Sequence, residues 1–401
     1  MTNRILKSRF EQLKLAQYAV MLLIPSVIVP LVYFSDIGGR NQVEQQPINN
    51  NRANSSQVKS NIAMAKQPVV RSTPLQLPLV ASAKPPIQLA YNVAGTPALM
   101  TSTRLQAIVN NAVKTAESKG LPIEPLSISL ISLRDTRCSL YAGFQDRQPR
   151  FPASISKLFW MVALLGQMRQ NVVPETAITD RQLYKMINKS DNEIASIVVD
   201  TLTDAESGEV LPKDEFAVWL EKRKSLNRFF EAAGYQSINI SQKNFPIPYL
   251  KLQEPRGRDL QMRGDLQNPV RNSLTTYETA RLTYEIHSNQ AISPQDSDRM
   301  ERMMQRDLRP EVWKKEQYNS IEGFLGELLP LDTYFASKVG WTSSSRQDTA
   351  IIRSSDGTAH YILTVFGDHK AYADDWEIFP KLSRQIFDQF REQPVICSSI
   401  S

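Results

Sequence analysis

Apolar positions are unevenly spread along this 401-residue chain, and their spread divides it before any motif is considered. Tyr18–Phe34 is the one long apolar run. From Ser35 to Ala90 there is no Phe, Trp or Tyr, and Asn, Gln, Ser and Pro prevail. Such a stretch cannot bury enough surface to offset its chain entropy, which predicts a disordered linker over 36–96. Periodic patterns begin after it, so one folded unit is expected over 97–397.

Within that unit Leu105, Ile108, Val109, Ala112 and Val113 follow a 3.6-residue period, and Gly120 with Pro122 ends the helix they predict. Leu126–Leu133 reads as a strand that turns at Arg134-Asp135 into a second strand through Leu140 and Tyr141. A mostly helical middle runs from Ser154 to about Leu308. Tyr334–Trp341, Asp348–Arg353 and His360–Phe366 read as three late strands, the last two joined by a turn whose Asp356-Gly357 pair favours a hairpin. Leu382, Ile386, Phe387 and Phe390 give a closing amphipathic helix. Strands at both ends and helices between them predict an α+β fold. The expected form is an antiparallel five-stranded sheet built from both ends of the domain and flanked by helices, with an inserted all-α lobe and a cleft between lobe and sheet.

The apolar run has seventeen residues, near the lower limit for a spanning helix, and contains Pro25 and Pro30. Arg4, Lys7, Arg9 and Lys14 precede it, so the expectation is a cytoplasmic leader over 1–17, an uncleaved membrane anchor over 18–34 and an exported remainder. A cleaved signal peptide is the rival, but no clear A-x-A site follows. The domain is therefore expected in the cell envelope, anchored in the inner membrane and facing the periplasm or extracytoplasmic space. A net charge of +6 comes from dispersed Lys and Arg without interleaved aromatics, so no nucleic-acid partner is expected. Cys138 and Cys397 cannot form a cysteine zinc site; in an exported domain they could pair, although two separate thiols is the plainer reading. His287, His360 and His369 fall in or beside different elements, so neither a Ser-His-Asp triad nor a metal site is indicated, and no cofactor is expected.

The candidate chemistry lies elsewhere. Phe151-Pro-Ala-Ser154-Ile-Ser-Lys157 opens a strongly apolar helix, and one turn puts Ser154 and Lys157 on one face. A lysine in an apolar cleft can lose its proton and take one from a hydroxyl. Ser190-Asp191-Asn192 stands between two helical patterns, where Ser190 with Glu193 also satisfies a capping box. Lys338-Val339-Gly340 lies on the first late strand; Gly340 lets a substrate backbone approach the strand edge, and Lys338 offers a cation for a substrate carboxylate. Ser56 and Lys59 repeat the first spacing inside the linker, so order and context carry more than any one match.

Ser-x-x-Lys on a helix, Ser-Asp-Asn in a helical lobe and Lys-x-Gly on a late strand form the signature of penicillin-binding proteins and class A β-lactamases. The chain resembles the class A β-lactamase family over roughly residues 99–391, including Asn272–Thr276 before a helix and Asp348-Thr-Ala350 after the Lys-x-Gly strand. The resemblance implies that Ser154 is acylated while Lys157 and Ser190 move its proton toward the leaving nitrogen. It assigns a substrate amide to Asn192 and a carboxylate to Lys338, with Arg346 assisting. It makes the backbone N–H groups of Ser154 and Trp341 an oxyanion hole, on the order of 3–4 kcal/mol per donor. The chain departs from the family in four places. Val339 lacks the usual hydroxyl, and Trp341 is bulky. Ser154 and Ser190 are only 36 positions apart. No E-x-x-x-N loop precedes Asn272: Glu254 is in about the right region, but Arg258 stands where Asn belongs, and Glu285 with Asn289 has the spacing in the wrong helix.

The leading expectation is a monomeric serine hydrolase that opens β-lactam amides through an acyl-enzyme on Ser154, with Glu254 activating the deacylating water and antibiotic resistance as its consequence. A penicillin-binding D,D-peptidase acting on peptidoglycan peptides with slow deacylation is the second reading. A catalytically silent envelope-binding module of the same fold is the third.

Overall fold

The computed structural model describes residues 95–134, 138–316 and 319–392. The leader over 1–17, the anchor over 18–34, nearly all of the 36–96 linker and the last residues of the domain, Cys397 among them, lie outside the described residues. Among the described residues no helix is long and apolar enough to cross a membrane. Cys138 is disulfide-bonded, so it is not the separate thiol of the plainer reading.

Helix α1 (Thr103–Ser118) is capped by the Ser102 side chain, which accepts the Leu105 N–H at 3.3 Å, and it buries Leu105, Ile108, Val109, Ala112 and Val113 as their period requires. Five strands follow: β2 (Leu126–Ser132), β3 (Ser139–Phe144), β4 (Tyr334–Thr342), β5 (Ser345–Arg353) and β6 (His360–Gly367). Each pairs antiparallel with its neighbours. A sixth strand, β1 (Leu99–Thr101), pairs parallel with Ser139–Tyr141, giving the order β1-β3-β2-β6-β5-β4. The sheet is thus one strand larger than expected, because three residues are too few for an alternating pattern to show. What recruits β1 is tertiary: the N–H of the capping Ser102 bonds to the Tyr141 carbonyl at 3.0 Å.

Strand alternation sends the two faces of the sheet into different cores. Leu130, Ala350, Ile352 and Leu363 pack with α1 and with α11 (Ile378–Glu392) on the outer face. Ile131, Ile351, Ile362 and Phe366 pack on the inner face against the helical lobe. The Leu, Ile and Phe side chains among them contribute about 1.5–3 kcal/mol each when fully buried, so the central strands have no solvated face to spare. The lobe comprises α2 (Ser156–Arg169), α3 (Asp180–Asn188), α4 (Asn192–Thr203), α5 (Lys213–Ala232), α6 (Gly257–Gln261), α7 (Thr276–His287), α8 (Pro294–Met304) and α9 (Pro310–Trp313); α10 (Lys370–Asp374) precedes α11. Helix α2 is buried from Ser156 to Met168, as a helix apolar all round must be. Strand β4 is an edge strand, and its side toward the lobe is covered by the turn entering α2.

Candidate active site

Ser154 sits in a 3₁₀ turn, Ala153–Ile155, that runs straight into α2. Ala153 has a φ of +46°, a left-handed conformation that costs a non-glycine residue about 1–2 kcal/mol. The surroundings hold it there: its carbonyl accepts from Ser156 Oγ at 2.9 Å and from Asn244 Nδ2 at 3.2 Å. Because α2 is the central helix of the lobe, Lys157 on its first turn is fully buried. Its Nζ lies 2.9 Å from Ser154 Oγ, 2.6 Å from Asn192 Oδ1, 2.6 Å from the Ser190 carbonyl and 3.4 Å from Ser190 Oγ. Burial pushes the ammonium down to about 7, with the Asp191 carboxylate opposing, so near neutral pH a large share of Lys157 is a free amine facing a hydroxyl.

Ser190 links α3 to α4 with a φ of +58°. The capping box read from Ser190 and Glu193 is not the one formed. Asp191 is the cap, its carboxylate accepting the Ile194 N–H at 3.0 Å. The left-handed turn frees the Ser190 hydroxyl, which accepts from Lys338 Nζ at 3.0 Å. Lys338, on β4, is also fully buried and holds the Val339 carbonyl at 2.7 Å. Its ammonium is held well below the usual lysine range, first by burial and then by the Lys157 and Arg306 charges. Ser154, Lys157, Ser190, Asn192 and Lys338 therefore form one hydrogen-bonded cluster across three elements. A hydroxyl, a titratable amine, a second hydroxyl and a second buried lysine in contact can move a proton from one side of a reacting bond to the other.

Gly340 lies next to this cluster, and its missing side chain makes room within the protein itself. A Cβ there would meet the Pro152 carbonyl at 2.7 Å and the Ala153 Cβ at 3.1 Å. The missing side chain lets the Ser154 turn dock on β4, and Gln347 Nε2 fastens the same turn through the Phe151 carbonyl at 2.9 Å. Trp341, the next residue, points to the opposite face of the sheet, as strand alternation demands. Its Nε1 donates to the Ala373 carbonyl at 3.3 Å, so its bulk stays off the Lys338 face. Arg346 is paired with Trp341 across the strands and shares that outer face. Its guanidinium is spent on the carbonyls of Tyr372, Gly323 and Ala373, and the structure does not bring it to Lys338.

Glu254 is exposed on the loop before α6, and none of the Lys157 hydrogen bonds reaches it. From that region the side chain reaching the Ser154 turn is Asn244, which sequence reasoning missed because its only signal is a contact to residues about ninety positions away. Glu285 is buried against Arg281 and Tyr235, as a structural carboxylate. His287 and His360, unrelated along the chain, meet with Nε2 atoms 3.1 Å apart, and His287 Nδ1 lies 2.9 Å from Glu301. They sit where β6 begins, apart from the Ser154 cluster. Among the described residues no group of three or more His, Cys, Asp or Glu is placed to hold a metal ion.

The family model described as the beta-lactamase enzyme family matches residues 125–390. Solved structures similar to the chain include PBP-A, at 15% identity and a TM-score of 0.49, covering 74% of this chain and 100% of that one. A beta-lactamase from Sphaerobacter thermophilus, at 15% identity and 0.47, covers 71% and 95%. A class A beta-lactamase from Bacteroides cellulosilyticus, at 14% identity and 0.48, covers 73% and 100%. No curated protein matches. With two-thirds of its length matched and the Ser154, Ser190 and Lys338 motifs inside the matched span, the chain belongs to the beta-lactamase enzyme family.

Proposed function

We propose that this protein is a serine acyl-hydrolase whose Ser154 opens the amide of a β-lactam or of a peptidoglycan D-alanyl peptide, and that it releases the acyl group slowly. The observation that carries the reading is the 2.9 Å contact between Ser154 Oγ and a buried Lys157 whose ammonium is brought down to about 7. Free Lys157 takes the hydroxyl proton as Oγ bonds to the carbonyl carbon. The backbone N–H groups of Ser154 and Trp341 receive the developing oxyanion. Ser190 passes its hydroxyl proton to the leaving nitrogen as the C–N bond breaks and is reprotonated by Lys157, which now carries the proton taken from Ser154. Lys338 balances the substrate carboxylate, and Asn192 holds its amide.

Slow release is supported by what surrounds the acyl site. Hydrolysis of the ester needs a base for water. The loop side chain at the Ser154 turn is the amide of Asn244, while Glu254 is exposed and outside the hydrogen-bonded cluster. This favours the penicillin-binding reading over rapid turnover. The same reading puts the domain outside the cytoplasm, tethered through Tyr18–Phe34, and the disulfide at Cys138 suits an oxidising compartment.

Intact-protein mass spectrometry after a penicillin pulse tests both statements. One persistent adduct, mapped to Ser154, absent in Ser154→Ala and released at the same rate in Glu254→Gln, is the expected result. If no adduct forms, acylation is refuted and the silent module remains. Rapid release that slows in Glu254→Gln would reinstate a turning-over β-lactamase.

A further inference from the structure

The Ser154 cluster works only if two separately folded walls stand at a fixed separation, because Ser190 comes from the α3–α4 turn and Lys338 from β4. Arg306, outside the cluster, places its guanidinium against both walls. In the segment leaving α8, it donates through Nη1 to the Asn188 carbonyl at 2.6 Å. Its Nη2 donates to the Ile187 carbonyl at 3.2 Å and to the Ser337 carbonyl at 3.0 Å. The first two carbonyls lie two and three residues before Ser190, and the third immediately precedes Lys338. The same segment is pinned from both sides: Arg306 N–H donates to the Phe335 carbonyl at 2.9 Å, and Asn188 Nδ2 donates to the Gln305 carbonyl at 3.1 Å.

We infer that Arg306 is a positioning residue, a guanidinium clamp that fastens the Ser190 turn to the Lys338 strand and so sets the Ser190–Lys338 hydrogen bond. The choice of arginine follows from geometry. Three carbonyls on two elements need donors spread in a rigid plane, which a guanidinium has and a lysine ammonium does not. The buried Nε has no partner, so the side chain is oriented by its Nη groups alone. No part of this contact touches substrate. Its effect on chemistry rests on the acyl-hydrolase reading, whereas its effect on the two walls does not.

Arg306→Lys keeps the charge and removes the fork. In this variant of the intact protein, hydrogen exchange is expected to accelerate together in the segments 186–192 and 334–340, with the remaining lobe unchanged. The first-order acylation constant for a penicillin is expected to fall roughly 10–100-fold, the scale of a small misplacement of reacting groups, while the dissociation constant of the encounter complex changes far less. A residue that merely stabilised the fold would lower the melting temperature and leave that split unmoved. If Arg306→Lys does not fold, Asn188→Ala removes the bond to the Gln305 carbonyl with the guanidinium in place, and both readouts should move the same way. Wild-type exchange in both segments overturns the clamp; altered exchange with an unchanged acylation constant overturns its positioning role. Absence of any adduct in the wild-type protein refutes the acyl-hydrolase reading instead, and the exchange measurement still decides the clamp.

Discussion

At the scale of single residues, the site is a problem of where a proton can rest. Lys157 is the same residue type as the exposed lysines of the surface, yet burial, opposed by the Asp191 carboxylate, brings its ammonium down to about 7. The deprotonated amine is the form that can accept the Ser154 proton, so the acylation constant should rise as pH increases through about 7 and level off above it. A pH profile taken with a penicillin at low concentration checks this; a rate already level at pH 5 would remove Lys157 as the base. Lys157 and Ser154 were legible along the chain because their relation spans three positions and one helical turn. Asn244 was not, because an asparagine in a loop carries no mark of the carbonyl it holds.

At the scale of elements, the fit of the turn at Ala153–Ile155 against β4 decides whether the cluster assembles. Gly340 is the residue that permits it, since any side chain would meet the Pro152 carbonyl at 2.7 Å. Gly340→Ala should therefore destabilise the protein by about 1–3 kcal/mol through overpacking and move the turn from the strand. The test is thermal unfolding together with acylation. An alanine variant with unchanged melting temperature and rate would show that the turn yields freely. Trp341 shows the reverse case. Its bulk counted against an intact oxyanion strand only until alternation put the ring on the other face, bonded to the Ala373 carbonyl. Side-chain size was visible in the letters, but which face of the sheet it loads depends on which neighbours are already committed to the inner side.

At the scale of the whole molecule, the two ends of the chain segment meet in one sheet, and helices from its middle close the inner face. That convergence also creates the His360–His287–Glu301 group. Burial first, then His287 and Arg353, hold His360 down to about 4, against 6.5 for a free imidazole. A histidine whose folded pKa is depressed binds its proton more readily when unfolded. The stability it contributes is complete above about pH 6.5 and is lost as pH falls toward 4. Melting temperatures between pH 4 and 7 should fall less steeply in His360→Gln than in the wild type. Parallel curves would show that the imidazole is protonated alike in both states.

Read by itself, the sequence determined the fold class and the approximate extents of the first helix, the strands and the closing helix, and its motifs, through the family they resemble, pointed to the five side chains of the cluster. The elements depend on local periods, which neighbouring residues impose on one another directly, whereas the cluster was indicated by the order of three short motifs and the family they resemble. Only the tertiary structure decided that Ser190 is freed from capping by Asp191, that Arg346 and Trp341 face away from the site, and that β1 joins the sheet. Only it showed that Asn244 and Arg306 reach the reacting elements while Glu254 stays in solvent. Apart from the local Asp191 cap and the exposure of Glu254, these are contacts between residues far apart in the chain, fixed by which faces pack and which buried carbonyls need a donor.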